Sequence, residues 1–228
     1  MKFIISIYIF LICSFEATAE TYTVNNKKIT IETIDDYCFI LPTDEPEKNI
    51  FDFYSKGDKK PRKLVSLLFP CDILNAYKIE MDSFWKRYIT PPPFSQNFIE
   101  SIVDLNLLKD DYHGHEYLVK DIICPKWAQE PHPLSKNDLK KKDKLELLDQ
   151  QEMGLISIGF LDSDSETCYF GILNKFVNSD KSEQLLLKVY APKIQDGVVI
   201  YHYYNSPYKN FQSLEESVST LKKFIAAQ

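Results

Sequence analysis

The stretch GLISIGFLDSDSETCYFGILNKF, Gly154 to Phe176, decides the fold class. On either side of Ser163-Asp164-Ser165-Glu166 lie runs rich in Leu, Ile, Phe and Tyr, too short and too β-branched for helices. Four polar residues between two such runs are turn chemistry, so the stretch reads as two antiparallel strands. QLLLKVYAP (Gln184–Pro192) and GVVIYHYYN (Gly197–Asn205) repeat the pattern. The chain then changes period. In SLEESVSTLKKFIAAQ, Leu214, Val218, Leu221 and Ile225 fall on one helical face, with Ser213 as the expected cap and Glu216 in the capping-box position. Four strands followed by one amphipathic helix predict an antiparallel meander with a helix laid across it.

Working outward, TYTVNN and KKITIETI alternate apolar and polar residues around Asn25-Asn26, which predicts an N-terminal hairpin. YCFILP is a further strand stopped by Pro42, and DEPEKNIFDFYSKG is a short helix capped at Asp44 with Glu47 three residues on. RKLVSLLFP is a buried strand, and Pro91 to Pro93 end whatever precedes them. SQNFIESIVDLNLLKD places Phe98, Ile102 and Leu105 on one stripe and predicts a helix. CPKWAQEPHPLSKND, with three prolines, predicts an extended loop. NDLKKKDKLELLDQQEM predicts a helix with Leu139, Leu145, Leu147 and Leu148 inward and lysines outward; the alternating acids make that a solvated face, not a nucleic-acid stripe. The fold class expected is α+β: a mainly antiparallel β-sheet, N-terminal hairpin plus C-terminal meander in one sheet, flanked by helices.

In element order, ITIETIDDYCFILP followed by GVVIYHYYNSP and SLEESVSTLKKFI resembles the PsbP-like fold. Members of that fold serve mostly as non-catalytic binding or assembly proteins. The resemblance therefore implies an adaptor role and assigns no residue to it.

The N-terminus MKFIISIYIFLICSFEATAE has one lysine, an apolar run from Phe3 to Cys13 and Ala-x-Ala at residues 17–19. That run is too short to span ~30 Å of hydrocarbon, so residues 1–19 read as a secretory signal peptide cleaved after Ala19, and 20–228 as a single α+β domain. The plainer alternative is an uncleaved anchor helix. Large Ile12 before Cys13 argues against lipidation. Once the leader is gone, Cys38, Cys71, Cys124 and Cys168 remain, an even number bound for an oxidising compartment, secreted or periplasmic. Four cysteines allow three connectivities. Cys38 and Cys71, both in or beside strand-like runs, form the expected pair, with Cys124 and Cys168 as the other. A zinc site from the same residues lacks the usual C-x-x-C spacing.

The formal net charge of −6 removes the basic field on which nucleic acid or anionic lipid binding rests. Only six glycines against 14% aromatic residues describe a packed chain without glycine-rich phosphate loops. The chain lacks G-x-S-x-G, G-x-x-x-x-G-K, G-x-G-x-x-G and H-E-x-x-H; GLISIG, around Ser157, reads as a strand body. Paired carboxylates of the glycosidase kind leave no sequence signature either way.

Two clusters hold chemistry-bearing residues. DDYHGHEYL (Asp110–Leu118) sets His113 and His115 two apart, the spacing of a metal pair on a strand, with Asp110, Asp111 and Glu116 near. A third ligand is not specified, since His132 and His202 lie far away in sequence, and Gly114 fits a polar turn. YHYYNSPY (Tyr201–Tyr208) offers aromatic faces for a glycan through Tyr201, Tyr204 and Tyr208. On a strand, Tyr201 and Tyr203 point one way, His202 and Tyr204 the other, and the plainer expectation is that one pair fills the core and the other packs beneath the last helix. The sequence thus predicts an exported, non-catalytic binding or assembly module for a protein or small ligand, without metal or cofactor. Its expected partner is another envelope or extracellular protein, with no nucleic acid and no stable membrane insertion. The alternatives are a metal-dependent hydrolase using His113 and His115, and a carbohydrate-binding module. The absence of an N-x-S/T sequon is compatible with a bacterial source.

Overall fold

The computed structural model describes residues 19–43, 45–56, 61–80, 97–105, 119–141, 154–177 and 183–228. They form a mixed α+β fold dominated by antiparallel sheet. The strands are β1 (Ala19–Val24), β2 (Lys27–Glu32), β3 (Tyr37–Phe39), β4 (Arg62–Pro70), β5 (Phe98–Asp104), β6 (Gly154–Ser163), β7 (Cys168–Val177), β8 (Glu183–Gln195) and β9 (Val198–Pro207). The helices are α1 (Glu47–Ser55), α2 (Cys71–Glu80), α3 (Cys124–Ala128), α4 (Lys136–Lys141) and α5 (Phe211–Ala227); a π-helical turn, Val119–Ile123, leads into α3.

The C-terminal meander forms as the sequence predicts. β6, β7, β8 and β9 pair in succession, all antiparallel. β8 and β9 are joined by Asp196-Gly197, both at positive φ (49° and 72°), the left-handed pair that suits a two-residue hairpin turn. Asn25 (47°) and Asn26 (66°) do the same between β1 and β2. Beyond β9 the sheet continues through β5 and β4 to β3, giving the order β3-β4-β5-β9-β8-β7-β6.

Several sequence expectations are corrected. Phe98–Asp104 is a strand, not a helix, and lies between β4 and β9. A strand covered on both faces loses its alternation, and in FIESIVD the apolar residues then fall at helical spacing by coincidence; the β-branched Ile99, Ile102 and Val103 suit the strand. The N-terminal hairpin is a separate two-stranded sheet. Instead of pairing with the main sheet, it buries Val24, Ile29 and Ile31 in the same core as α5, and Gln228 binds both the N–H and the C=O of Glu32 at 3.0 Å.

The proline-rich loop contains α3, because Pro125 sits in the first helical turn, where a missing N–H costs nothing. α1 starts at Glu47 behind Pro46 and has no side-chain cap. Glu47 instead accepts the Leu41 N–H at 2.5 Å and pairs with Lys78 of α2; Asp44, the expected cap, lies outside the described residues. α5 begins earlier than Ser213. Asn210 is its cap, accepting the Ser213 N–H at 3.0 Å while Ser213 Oγ accepts the Asn210 N–H at 3.2 Å. The lysine-rich helix is described only over Lys136–Lys141, with Leu139 buried; Leu145, Leu147 and Leu148 lie outside the described residues.

The sheet divides the interior. One face carries the largest core, formed by α5, the hairpin, Leu134 and Leu139 against β4, β5 and β6 to β9. On the other face are two smaller cores. α1 and α2 cover Leu67, Phe69 and Phe98, while the π-turn and α3 cover Phe170, Val199, Tyr201 and Tyr203. Disulfides fasten both of these flanks. Cys38–Cys71 ties β3 to the start of α2, and Cys124–Cys168 ties α3 to the start of β7, the two pairs expected from the sequence. Among the described residues no helix is long and apolar enough to cross a membrane.

Candidate functional site

Between the two smaller cores, three central strands place unlike side chains side by side. Glu100 of β5 stands opposite Tyr203 of β9, and Tyr203 opposite Tyr190 of β8; Asn205 of β9 stands opposite Lys188 of β8. Register alone brings them together, since residues directly opposite on antiparallel strands project from the same face. Lys188 Nζ bonds Glu100 Oε1 at 2.5 Å and lies 4.9 Å from the Tyr203 ring centroid. Asn205 Nδ2 donates to the same Glu100 oxygen at 3.4 Å. Asn205 Oδ1 is buried without a hydrogen-bond partner.

Aromatic walls enclose this group. Tyr190 packs on Tyr203 with centroids 5.4 Å apart. On the other side Phe98 stacks on Phe69 at 5.5 Å, with Tyr54 of α1 4.9 Å from Phe98. Burial pushes the Tyr54 hydroxyl far above its usual range, and the Glu100 charge pushes it further. Tyr203 is raised chiefly by burial as well. Neither phenol ionises at physiological pH, so both act there as hydrogen-bonding, uncharged walls.

Such a cluster is expensive. A buried ion pair is often no better for stability than apolar side chains of equal volume, and an unsatisfied buried acceptor costs about 1–3 kcal/mol. The Lys188 side chain is 31% exposed and that of Glu100 10%, so the group is approached from solvent along the lysine. It holds a cation, an anion and a buried amide oxygen without a donor between aromatic faces.

The residues singled out from sequence are dispersed. His113 and His115, with Asp110, Asp111 and Glu116, lie outside the described residues. His132 and His202 do not approach each other's partners: His132 Nδ1 meets Ser157 Oγ at 2.8 Å, and His202 Nδ1 meets Ser101 Oγ at 2.9 Å. Cys38, Cys71, Cys124 and Cys168 are all consumed in disulfides, which removes the zinc alternative built on them. Among the described residues no group of three or more His, Cys, Asp or Glu side chains could hold a metal.

The tyrosine cluster is corrected as a glycan platform. Tyr201 is buried in the core beneath α3, where Trp127 stacks on it at 6.1 Å. Tyr204 and Tyr208 are buried on the opposite face, under α5. The three rings therefore share no surface. The plainer expectation, a pair on each face, describes them: His202 lies edge-on to Phe224 of α5 at 5.3 Å.

Glu100, Lys188 and Asn205 were not legible as a site. Lys188 and Asn205 lie 88 and 105 residues from Glu100, and Glu100 sits in the segment whose spacing suggests a helix. The only available signal was a charged residue inside each of two apolar strand runs. No family model, no curated protein and no solved structure matches this chain, so every role stated here rests on its own geometry.

Proposed function

We propose that this chain is an exported, disulfide-stapled binding module that catalyses nothing and holds an envelope or extracellular partner at the Glu100–Lys188–Asn205 cluster. In this reading the leader is removed after Ala19 and residues 20–228 act as one domain. Two disulfides support an oxidising destination. The observation that carries the binding assignment is the buried Asn205 Oδ1 left without a donor beside a partly buried ion pair. Groups that cost stability in the middle of a sheet are retained where recognition uses them.

The test compares the parent with the double variant Glu100→Leu/Lys188→Met, purified from the exported form with both disulfides intact. Replacing both charges together leaves no orphaned ion, so the expected loss is confined to the acceptor removed from Asn205 Nδ2, about 1–3 kcal/mol at most. Capture of the parent's partner from envelope extract is expected to disappear. An unchanged set of captured proteins, or a stability loss of about 3–5 kcal/mol, would assign the pair to structure and sink the proposal.

A further inference from the structure

A cavity of about 510 Å³ lies between the π-turn, β8 and the β6–β7 connection. Val119, Lys120 and Asp121 of the turn form one wall, Lys193 and Ile194 of β8 another, and Ser165 of the connection a third. The volume falls in the range of small-ligand sites, roughly 300–1,000 Å³. The cavity shares no residue with the Glu100–Lys188–Asn205 cluster, so it stands apart from the reading given to that cluster.

Its walls are tied to one another. Cys124 directly follows the π-turn and Cys168 directly follows the β6–β7 connection, and their disulfide joins the two. Lys193 Nζ donates to Glu166 Oε2 of the connection and to the Ile225 carbonyl of α5, both at 3.1 Å. Walls already fixed need little ordering when a ligand enters. The π-helical turn is itself a rare conformation that concentrates at functional sites.

The charges on these walls are not equally engaged. Lys193 and Glu166 answer each other, whereas the side chains of Lys120, Asp121 and Ser165 have no hydrogen-bond or ion-pair partner among the described residues. One ammonium, one carboxylate and one hydroxyl are thus free for a ligand. Val119 and Ile194, both buried, supply an aliphatic floor. A simple anion would meet Asp121 as well as Lys120, and a simple cation the reverse; a ligand carrying both charges satisfies both. Neighbouring residues on a helical turn do not face each other, so the two charges meet the ligand at separate points. An α-amino acid holds its ammonium and carboxylate on one carbon. A short peptide holds them at its two ends.

We propose that this cavity binds a short peptide by its two charged ends. Lys120 takes the terminal carboxylate, Asp121 takes the terminal ammonium, and an aliphatic side chain rests on Val119 and Ile194.

The test titrates the full, disulfide-bonded chain with the tripeptide Ala-Leu-Ala, its N-acetyl form and its C-terminal amide, followed by ligand-observed NMR. The free tripeptide is expected to bind saturably, and each cap, by removing one charge, to weaken binding roughly tenfold. Lys120 and Asp121 are both exposed, so their substitution leaves the core untouched. In Lys120→Ala the free peptide and its amide are expected to bind alike, and in Asp121→Asn the free and acetylated peptides. Binding to Glu100→Leu/Lys188→Met is expected to be unchanged, which separates this site from the cluster. No saturable binding, or a parent indifferent to either cap, would overturn the proposal. Variants that still discriminate between the capped forms, or binding lost in the cluster variant, would place the peptide elsewhere and overturn it equally.

Discussion

His202 shows how much a single buried side chain can govern. It sits between Ser101 and Phe224 with no solvent contact, and burial, aided by the Lys193 charge, pushes its pKa down to about 3 from 6.5. A base whose folded pKa is depressed stabilises the fold fully above the unfolded value and progressively less as pH falls. Above pH 6.5 neither state binds the proton. Below it the unfolded chain does and the fold does not, so stability falls by about 1.4 kcal/mol per pH unit down to about pH 3. Asp164 adds acid sensitivity only lower down. Burial works to raise it, but the Tyr169 hydroxyl and the N–H groups of Thr167 and Glu166 hold it below its usual value of 3.8. The prediction follows for His202→Gln, which cannot take up the proton. Between about pH 7 and about pH 4.5 the parent should lose roughly 2 to 3 kcal/mol that the variant does not lose, read from urea midpoints at the two pH values. Equal losses in both proteins would show that His202 is not the sensor.

At the scale of elements, α5 is held at its start by one reciprocal pair. Asn210 accepts from Ser213 and Ser213 from Asn210, so two of the helix's unpaired N-terminal donors are satisfied at once. Asn210→Ala is expected to cost about 1 kcal/mol in thermal or chemical unfolding. Because the two side chains share the interaction, adding Ser213→Ala should cost less than a second such loss; full additivity would mean that the box does not act as a unit. The element itself was plain in the sequence, since Leu214, Val218, Leu221 and Ile225 all face the core, whereas its first residue was not. A cap is chosen by backbone geometry, and Ser213 and Asn210 are equally good caps by type. β5 failed for a different reason. Burial on both faces erases the period that separates strand from helix, and only its neighbours β4 and β9, far away in sequence, decide the matter. The polar cluster inherits that difficulty. Glu100 acquires Lys188 and Asn205 as neighbours only once β5 is a strand between β4 and β9.

For the whole molecule, the question is what keeps three packed regions on two sheet faces acting as one fold. The α5 core needs no staple, because it gathers side chains from all nine strands, both hairpin strands among them, and two helices. Each smaller core on the opposite face rests on fewer residues and each has a disulfide, Cys38–Cys71 beside α1 and α2, Cys124–Cys168 beneath α3. The separations of 33 and 44 residues correspond, by chain entropy, to about 4 kcal/mol for each bond. That is comparable with a large part of the stability of an ordinary domain, about 5–15 kcal/mol. The expected effects of removal differ by position. Cys124→Ala/Cys168→Ala frees α3, and with it the segment leading to His132, so amide exchange should rise first across 119–135 while α5 stays protected. Cys38→Ala/Cys71→Ala should instead raise exchange in β3, α1 and α2. Peptide mapping of residues 20–228 without reduction is the companion measurement and should recover both linked pairs with no free thiol among Cys38, Cys71, Cys124 and Cys168. Four alkylatable cysteines would remove the staples. Exchange rising uniformly in both variants would show that the three regions unfold together and that neither bond has a flank of its own.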